Sequence, residues 1–137
     1  MFFTVDPSNG VAIYLQIVHQ IKFAIAEQTL RPGQLLPSVR ELSQLLTVNP
    51  NTVARAFQEL QAEGIIETLR GRGVVVCSGS LDRCRKHRKK LFADRIEGVL
   101  SEALHGGLSA AEIRKLVEQK LKSLDGKVAT ISTKPPD

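Results

Sequence analysis

The stretch LPSVRELSQLLTVNPNTVARAFQELQAEG, residues 36–64, contains two helix starts in close succession. At the first, Ser38 is placed to cap the chain end and Glu41, three residues on, to return the bond, which is the capping-box arrangement. Leu42, Leu45 and Leu46 then supply a stripe to bury. At the second, Asn49 stands as cap and Pro50 occupies the first helical position, where its missing N–H costs nothing. Val53, Ala56, Phe57 and Leu60 form the next apolar stripe, and Gly64 ends it. Only about three residues, Thr47 to Asn49, separate the two helices, so the chain must turn sharply between them, and the pair reads as a helix-turn-helix.

Upstream, Tyr14, Ile17, Val18, Ile21 and Ile25 follow the i, i+3, i+4, i+7 spacing of an amphipathic helix within Val11 to Leu30. Arg31-Pro32-Gly33 stops it. Downstream, the β-branched segments Ile65 to Thr68 and Val74 to Cys77 flank Leu69-Arg70-Gly71-Arg72-Gly73, the pattern of a hairpin with glycines at its tip. A helix-turn-helix followed by such a hairpin is a winged helix. Beyond Ser78-Gly79-Ser80, Phe92, Ile96, Val99, Leu100 and Ala103 mark a fourth helix that ends at His105-Gly106-Gly107. Ser109 and Glu112 form a second capping box, which opens a fifth helix with the stripe Ile113, Leu116, Val117, Leu121 and Leu124. From Asp125 onward, with Pro135-Pro136, the chain is expected to lose order. The expectation is a mainly α protein with a small β-hairpin. It divides into a winged helix over residues 1–78, a two-helix segment over 79–125 and a disordered tail over 126–137.

The 137 residues suffice for one domain with an appendage. At 42% hydrophobic and 24% charged residues the composition is that of an ordinary globular chain. Aromatics are 4% with no Trp, too few for a single-strand stacking platform. Nothing resembles a membrane span or a secretory signal, which places the protein in the cytoplasm. Cys77 and Cys84 have no neighbours at zinc-ligand spacing and read as ordinary thiols. The net charge of +5 is concentrated: residues 81–90, LDRCRKHRKK, hold six bases and one acid, while the segments on either side balance. Such a run can lie along phosphates or be a solvated helix start.

In a helix-turn-helix the second helix enters the major groove with its N-terminal residues at the base edges, so the reading surface here is Asn49, Asn51, Thr52 and Arg55. Asn51 and Thr52 can donate to phosphates or bases, and free amides at that helix start would add anion attraction. The bland alternative is that these are cap and surface residues. Arg40, one helix earlier, could reach the duplex or pair with Glu41 or Glu67. The tip Arg70-Gly71-Arg72-Gly73 joins two cations to two residues that let backbone approach a partner, as a wing in the minor groove requires. No GK[ST] follows these glycines, so they are not a P-loop. His19, His87 and His105 share no local site, and no acid pair, activated nucleophile or metal cluster stands out. The reading is therefore a binding protein, not an enzyme, with no metal and no cofactor. A winged helix used for protein or RNA contact is the competing class.

Leu36-Pro37-Ser38-Val39-Arg40-Glu41-Leu42, Val48 to Val53, Ala56 to Leu60, Glu63 to Ile66 and Arg70 to Gly73 together resemble the N-terminal domain of GntR-family transcription regulators. The short remainder resembles the YtrA subfamily, whose C-terminal part serves dimerisation. Two departures are visible: Ala12 stands where the subfamily often has proline, and Val74-Val75 replaces the usual Thr-Phe after the wing. The resemblance implies a homodimeric repressor on a palindromic double-stranded DNA operator, with contacts on Arg40, Asn51, Thr52 and Gly71, and with Arg70 and Arg72 beside them. Two helices of about 20 and 15 residues can each bury a stripe against a second copy but can hardly enclose an effector pocket.

Overall fold

The computed structural model describes residues 3–132, with side chains through residue 126. The order is α1 (Ile13–Ala26), α2 (Val39–Leu46), α3 (Pro50–Ala62), β1 (Ile66–Leu69), β2 (Gly73–Val76), α4 (Ser80–His105) and α5 (Ala110–Ser132). Two compact units divide the chain after Leu91, inside α4.

In the first unit, Ile17, Ile21 and Ile25 of α1 meet Leu42 of α2 and Val53, Ala56, Phe57 and Leu60 of α3 in one core. Both helix starts form as their residues dictate. The Ser38 hydroxyl accepts from the Glu41 amide at 3.0 Å, and the Glu41 carboxylate accepts the Ser38 amide. Asn49 Oδ1 accepts from the Asn51 amide at 2.8 Å, with Pro50 beginning the helix. Leu45, however, is 71% exposed. Helix α2 has only eight residues, and its inward stripe is Val39, Leu42, Ser43 and Leu46, which leaves Leu45 about 110° round the axis from the stripe's centre.

β1 and β2 pair antiparallel, Ile66 opposite Val76 and Leu69 opposite Gly73. Residues 33–36 add a third, irregular edge: the Leu36 amide donates to the Val74 carbonyl at 2.9 Å and the Val76 amide to the Gln34 carbonyl at 3.0 Å. With Val75 and Val76 fully buried, the wing is anchored despite the Val74-Val75 departure. The first turns of α4 close this unit, with Cys84 inside the core and Ser80 buried beside it.

The second unit holds the rest of α4 and α5. These helices are 26 and 23 residues long, more than the sequence suggested. The expected capping box forms, Ser109 Oγ accepting the Glu112 amide at 3.1 Å. Helix α5 continues to Ser132, past Gly126, so the stretch from 126 to 132 is helical instead of disordered. Residues 133–137 of the expected tail lie outside the described residues. Ile113 is buried, whereas Ile96, Val99, Leu104, Leu121 and Leu124 are about half exposed or more. Leu100, Leu104, Ile113 and Val117 line an open apolar groove of about 560 Å3.

Candidate nucleic-acid interface

The residues singled out on α3 divide by their local chemistry. Asn49 is exposed, but its side-chain oxygen is committed to the Asn51 amide. Pro50 has no amide proton, and the Thr52 amide donates to the Asn49 carbonyl at 2.9 Å, as does that of Val53 at 3.4 Å. The expected free amides at this helix start are therefore absent among the described residues, which leaves only side chains to meet a partner there. Asn51 is exposed and Thr52 half-buried, one residue apart at the tip of the helix. Arg55, a turn further on, is exposed, and its guanidinium carbon lies 3.8 Å above the centre of the Tyr14 ring of α1.

Free amides occur one helix earlier. The amides of Val39 and Arg40 find no acceptor among the described residues, since Ser38 serves those of Glu41 and Leu42. The Arg40 side chain is exposed and pairs with neither Glu41 nor Glu67. Between this helix start and the wing base lies a groove of about 530 Å3 bordered by Pro37, Ser38, Val39, Arg72 and Gly73. Helix α2 and the wing thus share one concave edge.

At the wing tip Arg70, Gly71, Arg72 and Gly73 are all exposed. The Arg72 amide closes the turn on the Leu69 carbonyl at 3.0 Å. Gly71 sits at φ +81° and Gly73 at φ +110°, conformations that a side chain makes costly. Both arginine side chains are left on the outside of a tight, well-anchored loop.

The basic run of α4 splits in two. The Arg83 guanidinium donates at 3.3 Å to the carbonyls of Glu63 and of Gly64, at the end of α3. Arg85 Nε donates at 3.2 Å to the carbonyl of Ala26, the last residue of α1. These two cations satisfy carbonyls that helix ends leave open, whereas Lys86 and Lys89 are exposed. Between the three helices, Lys22 is buried and pairs with Glu63 at 2.8 Å. His87 is beside it, with its ring 6.1 Å from that of His19 and its Nδ1 buried without a partner. Burial holds the His87 pKa below its ordinary 6.5, and the Lys22 charge adds to this. Sequence reasoning missed the arginine caps because no periodicity ties α4 to the ends of α1 and α3.

No group of three His, Cys, Asp or Glu among the described residues is placed to hold a metal, and no described helix is long and apolar enough to cross a membrane. A helix-turn-helix with a cationic wing on the same edge defines a winged-helix DNA-binding protein. The chain belongs to the GntR family of bacterial regulatory proteins, whose model matches residues 13–76. It is 33% identical over 115 residues to the HTH-type transcriptional repressor YtrA of Bacillus subtilis, an alignment covering 84% of this chain and 88% of that protein. That similarity runs past the winged helix into the C-terminal helices. Among solved structures, a transcriptional regulator from Oenococcus oeni superposes with a TM-score of 0.69 at 30% identity, covering 85% of this chain and 97% of its own. A GntR-family regulator from Listeria monocytogenes gives 0.67 at 34% identity, covering 82% and 97%. The chain is thus a DNA-binding transcription regulator of the YtrA type.

Proposed function

We propose that the protein is a dimeric, non-enzymatic repressor of the cytoplasm that binds a palindromic double-stranded DNA operator. Helix α3 of each subunit lies in a major groove and the wing tip in the adjacent minor groove. The observation that carries this reading is the exposure of Arg40, Asn51, Arg70 and Arg72 on elements whose core-facing residues Leu42, Val53, Val75 and Val76 are buried. Nothing inside the fold uses these four side chains among the described residues. Asn51, Thr52 and Arg55 read base edges, Asn49 holds the helix start, and Arg70 to Gly73 enter the minor groove. Arg40 and the amides at the start of α2 hold phosphate.

Within segment 79–125, the part from Phe92 onward serves as the dimerisation element, since the first turns of α4 pack into the winged-helix unit. Its half-exposed Ile96, Val99, Leu121 and Leu124 leave more apolar surface in water than a helical pair normally tolerates, and a second copy offers the matching stripe. Lys86 and Lys89 of α4 add attraction to any duplex without reading its sequence.

The test begins with a duplex selected by the protein from a random-sequence pool. Arg40→Ala and Asn51→Ala each cost about 1–3 kcal/mol on that duplex and much less on a random one. Sedimentation at micromolar concentration gives a dimer. Equal affinity for selected and random duplexes, or a monomer with and without DNA, overturns the proposal.

A further inference from the structure

The contact between Arg55 and Tyr14 brings α1 into the reading of DNA. Arg55 lies four residues after Asn51 and three after Thr52, and so shares their side of α3. Its guanidinium is stacked over the Tyr14 ring at 3.8 Å, while the residue as a whole stays exposed. A flat guanidinium on an aromatic face is held by its π surface, which leaves its N–H groups pointing outward round the edge. It makes no hydrogen bond or ion pair among the described residues, so those donors are available. An arginine unsupported on a helix surface loses rotamer freedom when it binds a partner, whereas one already stacked has little left to lose.

We propose that Tyr14 is a positioning residue for DNA recognition: it holds the Arg55 guanidinium ready to donate to a base edge or phosphate beside the Asn51 contact. The proposal rests on α3 being the reading helix. Tyr14 itself touches no DNA in this scheme. Its ring is half-buried against the core, which fixes the platform, and α1 thereby sets where a side chain of α3 points.

The experiment compares affinity for the selected duplex across Tyr14→Leu, Tyr14→Phe, Arg55→Ala and the double variant Tyr14→Leu with Arg55→Ala, each checked for a native thermal melt. Loss of an exposed cation–π contact weakens binding roughly two- to fivefold in Tyr14→Leu. Tyr14→Phe keeps the ring and binds as the unmodified protein does. In the Arg55→Ala background, removing Tyr14 has no further effect, because its action passes through Arg55. Unchanged affinity in Tyr14→Leu overturns the proposal, as does an equal loss with and without Arg55, which marks a purely structural role. If Tyr14→Leu does not fold, Arg55→Lys decides: an ammonium cannot stack flat, so affinity falls in the same range, and unchanged affinity refutes the idea. Failure of the unmodified protein to prefer any duplex sinks the function proposed above instead, and is read from the same titrations.

Discussion

Replacing Arg85 by alanine should cost folding stability more than DNA affinity, although Arg85 lies in the middle of the most basic stretch of the chain. Its Nε is the hydrogen-bond partner of the Ala26 carbonyl at 3.2 Å. The neighbouring carbonyls of α1 have backbone partners: Phe23 receives Glu27, Ala24 receives Thr29 and Leu30, and Ile25 receives Gln28. Ala26 is 1% exposed, so water cannot replace the arginine without rearrangement. A buried carbonyl left unpaired costs about 1–3 kcal/mol, and the exposure of Arg85 argues for the lower half of that range. For a domain of this size 1 kcal/mol corresponds to about 4–8 °C in the melting temperature. Circular-dichroism melts of Arg85→Ala and Lys89→Ala, with duplex titrations at several salt concentrations, separate the two roles. Arg85→Ala melts several degrees lower with nearly the same salt slope. Lys89→Ala keeps its melting temperature and loses about 0.9 from the slope of log K against log salt. An unchanged melt for Arg85→Ala, together with a slope reduced as in Lys89→Ala, would refute the division of the basic run.

Leu42→Ala opens a cavity under α2, where the side chain is fully buried, and should lower stability by about 2–5 kcal/mol, measured by denaturant unfolding. His87 gives a pH signature. Burial, then the Lys22 charge, depress its folded pKa below 6.5, against the opposing pull of Glu63 and Glu59, so the unfolded chain takes up the proton first. Its contribution is complete above about pH 6.5 and is lost as the pH falls towards the lower folded value. The melting temperature of the unmodified protein should therefore drop more between pH 7 and pH 5 than that of His87→Gln; parallel curves contradict the assignment. Burial pushes the Cys84 thiol up to about 11, and the residue is fully inaccessible. A thiol reagent at pH 8 should modify Cys77 alone in the native protein and both cysteines in denaturant, and rapid native modification of Cys84 would count against the core described here.

What could be read directly from residue order were features whose partners lie within a turn or two. The Ser38 and Ser109 capping boxes, the Asn49-Pro50 start, the stripe Val53, Ala56, Phe57 and Leu60, and the glycine-tipped hairpin all depend on neighbours in sequence, and all form. Leu45 failed because periodicity gives a stripe's spacing but not its centre, and two turns leave the centre poorly determined. The extent of α5 failed because the tail from Asp125, with Pro135-Pro136, reads as losing order, yet a glycine inside a long helix costs only about 1 kcal/mol and the helix passes through Gly126. Among the site residues, exposure of Arg40, Asn51 and the wing was legible from the apolar pattern around them. The Arg55 contact was not: Tyr14 had an apolar stripe to fill, and its second function, as a platform on another helix, leaves no periodic trace.

The distribution of charge bears on how such a protein separates searching from reading. Residues 1–79 carry equal numbers of acidic and basic side chains, so the winged helix has no net charge with which to attract a duplex. Of its six cations, Arg40, Arg70 and Arg72 are exposed without a side-chain partner among the described residues, while Lys22 is buried in an ion pair, Arg31 donates to the Gln28 carbonyl and Arg55 is stacked. Under the proposed function, long-range attraction falls to the α4 run, in which one guanidinium nitrogen each of Arg83 and Arg85 is engaged with a helix-end carbonyl. On the proposed reading these two arginines serve mainly the fold, and the exposed Lys86 and Lys89 supply most of the salt-dependent attraction. The proposed function thus places sequence-independent attraction and sequence reading on different elements. Substitutions at Asn51 or in the wing should change which duplex is preferred while leaving random-sequence binding nearly intact, and charge removal at Lys86 or Lys89 of α4 should weaken every duplex by a similar factor.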